Sequence, residues 1–403
     1  MHTESSSEPV LMPAWGHFAP QVFSAILLTI RPAFPARLVL SALASYYSYA
    51  LVAGHTTGDG PTHDYAAASA IGGRWAGMLV LSWLCDPMRD WRYRDEKIAP
   101  ADYPFLKRFY YAACIVASPR SLGWNVEVAN VPPPTAASSR GEFLRDRILR
   151  TAQCALLLDL AQSYIKLINL QPSLPYLGTE AFPGGWRGFL LRFLCRLAWY
   201  VRSYTVMKLL SNLLSIFCVA TGLFNGNPED WRPMFGNWSD AYTVRRFWGR
   251  TWHQNLRRNF TITGRALSNA LGFKRGTNAS AYTQLYTGFA LSGIMHVWGD
   301  VMLGPPYLGT SMKFFLANAC AITFEDAVIA VSRRQFGYGR EPTKWTIRLG
   351  YLWVIAWFYM VGPLFVDWFL PMPRSTEEEF LPFSFVRSRY APSLLTKIMK
   401  YTF

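Results

Sequence analysis

Charge is scarce in this sequence. Asp, Glu, Lys and Arg make up 16% of its 403 residues, while 51% are hydrophobic. A soluble domain carries about a quarter charged residues. The balance excludes an ordinary soluble protein, so the usual expectation of one domain per roughly 150 residues does not apply. Cysteine is sparse as well: Cys85, Cys114, Cys154, Cys195, Cys218 and Cys320 are scattered, mostly in apolar runs, with no CxxC and no metal-ligand spacing. That excludes a disulfide framework or a zinc site and leaves buried, reduced thiols. There is no HExxH helix, GxSxG turn, P-loop or dinucleotide-binding glycine pattern, which removes the chemistries those motifs serve. No adjacent pair of aspartates is present to hold magnesium on a diphosphate, arguing against prenyl transfer or ionisation-type cyclisation. With no nucleic-acid motif in view, the net charge of +15 reads as cytoplasmic loop bias, affinity for anionic headgroups and binding of a phosphorylated cosubstrate.

What the chain has is long apolar runs. Segments of about 20 such residues cross a bilayer as helices. By that rule the spans are Pro9 to Ile30, Ala36 to Gly54, Ala68 to Cys85, Thr151 to Leu170, the pair Phe189 to Arg202 and Val206 to Phe224, Ala281 to Leu303, Ser311 to Val331, and Thr346 to Leu370. The expected fold is all-α, a polytopic integral membrane bundle of about eight or nine helices, forming a single domain over residues 1–403. Residues 119–150, rich in Pro and Ser and then basic, read as an extramembrane linker. Lys107 to Ser118 is too short to span and suits an interfacial helix. MHTESSSEPV lacks the basic start of a signal peptide, so the first apolar run is expected to stay as a span. The stretch Arg245 to Arg275 is strongly basic, with no acid inside it, and is expected to face the cytoplasm. The sequons at Asn237, Asn259 and Asn278 then read as chance matches. Asp159, Gln162, Ser163 and Lys166 share one face of a helix, a polar stripe turned into the bundle in which Asp159 is expected to pair with Lys166.

Two stretches carry chemistry. The first is SGIMHVWGD, Ser292 to Asp300. An ionisable side chain in hydrocarbon costs on the order of 3 kcal/mol on insertion scales, so one found there has a use. Ser292, His296 and Asp300 stand four residues apart on one face. Asp300 is placed to fix the imidazole tautomer, and Gly293 and Gly299 are expected to leave open space beside the ring. The alternative is a packed interhelical histidine. The second stretch is RRFWGRTWHQNLRRNF, Arg245 to Phe260. Read as a helix, it gathers Trp248, Trp252, Asn255 and Asn259 on one side, with His253 adjoining. Arginines match phosphates and tryptophans line a greasy wall, although an interfacial anchoring helix has the same composition.

WRPMFGNWSDAYTVRRFWGRTWHQNLRR followed by LSGIMHVWGD resembles the membrane-bound O-acyltransferase superfamily in its wax-synthase-like branch. The likeness extends through GREPTKWTIRLGYLWVIAWFYMVGPLFVDWFL, so residues 233–370 carry it. It implies an acyl-CoA:alcohol O-acyltransferase, with His296 at the family's histidine as general base and His253 at its second polar position. Many relatives have a glutamate soon after the histidine, whereas Val297 and Trp298 follow it here. The texture resembles fungal acetyltransferases of terpenoid and meroterpenoid secondary metabolites. Acetyl-CoA is the implied cosubstrate and a hydrophobic alcohol the partner, with no metal and no nucleic acid, in the endoplasmic reticulum membrane. Within that scheme His253 or Asn255 stabilises the oxyanion, Trp248 and Trp252 line the CoA site, and its phosphates meet cations among Arg245, Arg246, Arg250, Arg257 and Arg258. A long-chain wax or sterol ester synthase is the near alternative. A proton-coupled transporter using His296, Asp300 and Asp159, and an acid-driven terpene cyclase, are the alternatives from other classes.

Overall fold

The computed structural model of the chain describes residues 10–134, 139–169, 184–224, 226–337, 341–367, 379–381 and 383–388. The expected span ends at Pro9, Leu170 and Leu370, and residues 135–138 of the expected linker, lie outside them. In chain order the helices are α1 (Ala19–Ile30), α2 (Phe34–Ala53), α3 (Pro61–Trp83), α4 (Pro87–Asp90), α5 (Phe105–Ala117), α6 (Arg140–Asn169), α7 (Gly185–Thr221), α8 (Val244–Arg246), α9 (Arg257–Ala270), α10 (Asn278–Leu303), α11 (Thr310–Phe336) and α12 (Lys344–Val361). Two-residue strands, β1 (Val10–Leu11) and β2 (His55–Thr56), pair in parallel.

The helices are apolar on their outer faces and bury polar groups among apolar ones. Leu38, Val39, Leu43 and Tyr46 of α2 are exposed, as are Leu349, Leu352, Ile355 and Met360 of α12, while Ser24, Thr29, Ser41 and Ser48 are buried. Lipid, not water, suits such an outer surface. By length and composition four helical stretches among the described residues suffice to cross a membrane: Phe34–Ala53, Gly185–Thr221, Pro305–Gln335 and Lys344–Leu364.

The chain divides into two compact units, Met1–Ala129 with Gln254–Tyr338, and Asn130–His253 with Gly339–Phe403. In the first, α10 is central and packs against α2, α3, α9 and α11. Its crossing with α3 is close because each helix offers a glycine. A Cβ at Gly72 would stand 2.7 Å from the Met295 carbonyl oxygen, and one at Gly299 would stand 2.4 Å from the Tyr65 ring. Membrane helices use small residues for such approaches. The start of α3 is pinned by Asp64, which accepts from the Thr57 N–H at 2.6 Å and the Thr56 hydroxyl at 2.8 Å. The N-terminal part of the expected linker is packed here: Ser121, Leu122 and Trp124 are buried, the last beside Trp91 and Ile115.

In the second unit α6 lies along α7. Where the sequence suggests a pair of spans interrupted by Arg192, Arg196 and Arg202, the structure has one helix of 37 residues, about 55 Å long at 1.5 Å per residue. Arg196 does not break it, because its charge is met: Nε and Nη2 donate to Asp367 at 3.1 and 2.8 Å, and Nη1 donates to the Tyr359 carbonyl. A buried guanidinium is tolerated when paired bidentately. The polar stripe of α6 is turned inward, but Asp159 does not pair with Lys166. Asp159 accepts from the Val386 N–H at 3.0 Å, and Lys166 reaches Glu379 at 2.6 Å.

Candidate active site

His296 sits half-buried on α10, between aromatic side chains of two other helices. Its ring stacks on Phe315 of α11 with centroids 4.5 Å apart and planes at 19°. Tyr65 of α3 lies on another side, centroids 5.8 Å apart, with its hydroxyl 3.1 Å from His296 Nδ1. The same hydroxyl is 2.7 Å from Ser311 Oγ, and Ser311 donates to Asp300 Oδ1 at 2.6 Å. Asp300, wholly buried, accepts two further bonds at Oδ2, from the backbone N–H groups of Gly309 at 3.0 Å and Ser311 at 3.1 Å.

The local sequence explains this arrangement. Gly304 closes α10 at φ 103° and Gly309 opens α11 at φ 83°, both left-handed conformations that glycine adopts without strain. The chain therefore doubles back, and the first turn of α11 presents its unpaired N–H groups to Asp300. A carboxylate at a helix N-terminus satisfies such donors and the helix dipole together.

Two expectations are corrected here. Asp300 does not touch the imidazole; it caps α11 and reaches His296 only through Ser311 and Tyr65. Nor do the glycines leave open space. A Cβ at Gly293 would meet Met312 Sδ at 2.5 Å, and Gly299 lies under the Tyr65 ring. Their role is close helix approach. Tyr65 and Ser311 are the members that sequence reading misses. Tyr65 is 231 residues from His296 and no local pattern marks it. Ser311 follows Gly-Thr at a helix start, a signal that identifies a cap and says nothing of its partner.

In the other unit the tryptophan block is not one helix. Thr243 caps α8 by accepting from the Arg246 N–H at 3.0 Å, and Phe247–Thr251 then form a π-helical turn. The Trp252 N–H closes it on the Phe247 carbonyl at 2.7 Å, and from Trp252 the backbone is extended. The shared face expected of Trp248, Trp252, Asn255 and Asn259 therefore does not form. An irregular segment presses on this turn: a Cβ at Gly236 would come 2.0 Å from the Arg250 carbonyl oxygen, so only glycine lets the segment before α8 lie against it. Gly236 donates to the Thr251 carbonyl at 2.9 Å and the buried Thr251 hydroxyl donates to the Asn237 carbonyl at 3.1 Å. Turns of this kind are frequent at functional sites.

Rings surround Trp252. Phe235 meets it edge-on at 5.2 Å, Phe247 stacks at 5.6 Å and Trp248 stands at 6.0 Å. His253 lies beside it, 5.6 Å from Trp252 and 6.0 Å from Phe235 by ring centroids. Arg250 is exposed. Arg246 is engaged with Asp240 and stands over the Tyr242 ring.

The remaining candidates lie in the first unit. Asn255 is half-buried in the turn entering α9, and Arg257 donates to Gln254 Oε1 at 2.6 Å. Arg258 is not available to a phosphate. It is buried, and its Nη1 donates to the carbonyls of Ile115 at 3.0 Å and Ser118 at 2.8 Å. It closes the C-terminus of α5, where a cation suits the orphan carbonyls. Burial pulls its guanidinium down to about 10, still charged at neutral pH. Asn259 is buried against Gly77, its Nδ2 3.3 Å from where a Cβ would be, so no glycan is accommodated at that sequon in the folded chain. Among the described residues no cluster of His, Cys, Asp and Glu could hold a metal ion.

Residues 231–317, which take in both the π-turn and the His296 helix, match the Membrane bound O-acyl transferase family. Acetyltransferase ple2 of Rhodocybe pseudopiperita is 34% identical over 358 residues, 86% of this chain and 89% of that protein. Acetyltransferase eriL of Hericium erinaceus is 30% identical, covering 70% of this chain and 72% of its own length. O-Mevalon transferase macI of Penicillium terrestre is 30% identical over 62% of this chain and 60% of its own. A likeness that runs nearly end to end cannot come from shared hydropathy alone, and it carries the histidine-bearing helix with it: the chain belongs to the membrane-bound O-acyltransferase family and is an O-acyltransferase.

Proposed function

We propose that this chain transfers an acetyl group from acetyl-CoA to a hydroxyl of a hydrophobic terpenoid or meroterpenoid secondary metabolite, in the endoplasmic reticulum membrane, with His296 as general base. The carrying observation is the imidazole itself: half-buried on an apolar helix, with its Nδ1 within reach of the Tyr65 hydroxyl at 3.1 Å. Ionisable groups so placed serve function. The alcohol oxygen attacks the thioester carbonyl carbon as its proton passes to His296 Nε2. The tetrahedral intermediate collapses with cleavage of the C–S bond, and the thiolate takes the proton back from His296. Ester and CoA leave. A thioester is already activated, so no covalent enzyme intermediate is required. The oxyanion needs a donor, a role assigned to His253 or Asn255 from the sequence block. Arg250, with Trp248 and Trp252 near it, is our candidate contact for the CoA phosphates and pantetheine; Arg257 remains one on sequence grounds alone.

The membrane reading extends to eight spans: α1, α2, α3, α6, α7, α10, α11 and α12, with the single α7 in place of two shorter segments. Because the family match crosses the boundary between the units at His253 and Gln254, residues 1–403 are taken as one acyltransferase domain. Its basic Arg245 to Arg275 stretch faces the cytoplasm, where CoA is found.

The relatives named acetyltransferases favour acetyl transfer, whereas the relative named a mevalon transferase favours a larger acyl group as the second reading. Microsomes holding the chain, given acetyl-CoA or palmitoyl-CoA with a panel of terpenoid and fatty alcohols, separate these. Acetyl ester supports the proposal. Palmitoyl ester alone replaces it with wax or sterol ester synthesis.

A further inference from the structure

The hydrogen bonds that join Asp300 to His296 have a direction. Asp300 receives two backbone N–H groups and the Ser311 hydroxyl, the pattern of an ionised carboxylate, which accepts only. Ser311 has one proton and gives it to Asp300. Toward Tyr65 its oxygen is therefore an acceptor, and the 2.7 Å contact is the Tyr65 hydroxyl donating to Ser311. With its proton spent, the Tyr65 oxygen offers only lone pairs to His296 Nδ1 at 3.1 Å. Nδ1 must then carry the hydrogen, and Nε2 the lone pair. The opposite tautomer would draw the Tyr65 proton to Nδ1 and leave two hydroxyl oxygens facing each other at 2.7 Å with no hydrogen between them.

We propose that Tyr65 and Ser311 are positioning residues that, anchored on Asp300, hold His296 as its Nδ1–H tautomer with Nε2 as the proton-accepting nitrogen. The assignment rests on the base role given to His296 above and deepens it. When Nε2 takes the alcohol proton, the imidazolium keeps its Nδ1–H bond to Tyr65, and the two hydroxyls, each polarised toward the carboxylate, stabilise the new charge. Chains of this kind strengthen one another in a dry site, and a wrong tautomer disables a histidine base with its geometry intact. The ring cannot swing away to a different partner, since Phe315 stacks on it at 4.5 Å and Tyr65 is seated on Gly299.

The test compares Tyr65→Phe, Ser311→Ala, Ser311→Thr, the double variant Tyr65→Phe/Ser311→Ala, and His296→Ala, each normalised to the amount of monodisperse protein in detergent. Tyr65→Phe keeps the ring packing and removes only the hydroxyl. Its kcat is expected to fall about 10-fold or more, on the scale of one lost hydrogen bond acting in the transition state, with KM for acyl-CoA unchanged. Ser311→Ala is expected to show the same loss and Ser311→Thr to restore it. The double variant should be no worse than the poorer single one, because both break one chain. Full kcat in Tyr65→Phe, beside an inactive His296→Ala, overturns the relay and leaves the base in place. Additive losses in the double variant also overturn it. Wild-type activity in His296→Ala removes the base reading and the relay together.

Discussion

Two of the six histidines, His296 and His253, stand in different settings. His296 is oriented by hydrogen bonds through Tyr65 and Ser311 to a buried carboxylate. His253 lies among rings, Trp252 at 5.6 Å and Phe235 at 6.0 Å, just after a π-turn. A hydrogen-bonded imidazole has a defined tautomer and a counter-charge at the end of its chain, which suits a group that must gain a proton and return it. An imidazole packed beside aromatic rings has a defined place, which suits a donor to an oxyanion. The contrast is in keeping with the proposed base on α10 and the proposed binding and donor roles of the tryptophan block.

That assignment can be broken at several points. The largest effect expected outside His296 is at His253: His253→Ala should lower kcat by about 10²- to 10³-fold, the usual cost of an oxyanion donor, in an assay of ester formation. A loss confined to KM would make it a binding residue instead. The next comparison uses the glycines. Gly236→Ala drives a Cβ toward backbone, 2.0 Å from the Arg250 carbonyl oxygen, and overpacking against backbone that cannot yield costs about 1–3 kcal/mol or more. A lower melting temperature and poor recovery of monodisperse protein are expected. Gly299→Ala meets the Tyr65 ring and Ser69 Oγ, side chains and not backbone, so this variant should cost less stability than Gly236→Ala and yet lose about as much kcat as Tyr65→Phe. Equal behaviour of the two variants would erase the distinction between a backbone-built site and a side-chain-built one.

A smaller effect is expected at Arg258, in stability and not in catalysis. Arg258→Met strips the guanidinium from the carbonyls of Ile115 and Ser118, and an orphaned buried acceptor costs about 1–3 kcal/mol. Its melting temperature should fall while KM for acyl-CoA stays put; a raised KM would return Arg258 to the phosphate site. The smallest lies in the loop before α5. Tyr103 and then Tyr111 donate to Glu96 at 2.6 and 2.9 Å and hold its carboxyl below the usual 4.5. A depressed folded-state value stabilises above the unfolded value and is lost as pH falls through the folded one. Wild type should therefore lose a slight stability margin over Glu96→Gln as pH drops below about 4, read as convergence of the two melting temperatures.

How much of this could be read from residues alone follows from the range of each interaction. Hydropathy is local, so the apolar helices α2, α10, α11 and α12 are legible in the sequence, and so is a histidine among Ile, Met, Val and Trp. The continuity of α7 is not, because Arg196 is neutralised by Asp367, 171 residues further on. The helical periodicity seen around Trp248 and Trp252 fails because Gly236 lets an irregular segment lie against the turn, a tertiary override of a sound local pattern. Asp300 was legible as important and misread as to its contact: the spacing places it on the face of His296, but the return of the chain at Gly304 and Gly309 gives its oxygens to the next helix.

The most direct measurement is the rate of ester and CoA formation from acetyl-CoA and an accepted alcohol by wild type and His296→Ala, at equal amounts of monodisperse protein. General-base removal is expected to lower kcat about 10²- to 10⁴-fold, with acyl-CoA still bound by the variant. Undiminished turnover in His296→Ala would contradict the account and leave the half-buried imidazole as a packed interhelical histidine.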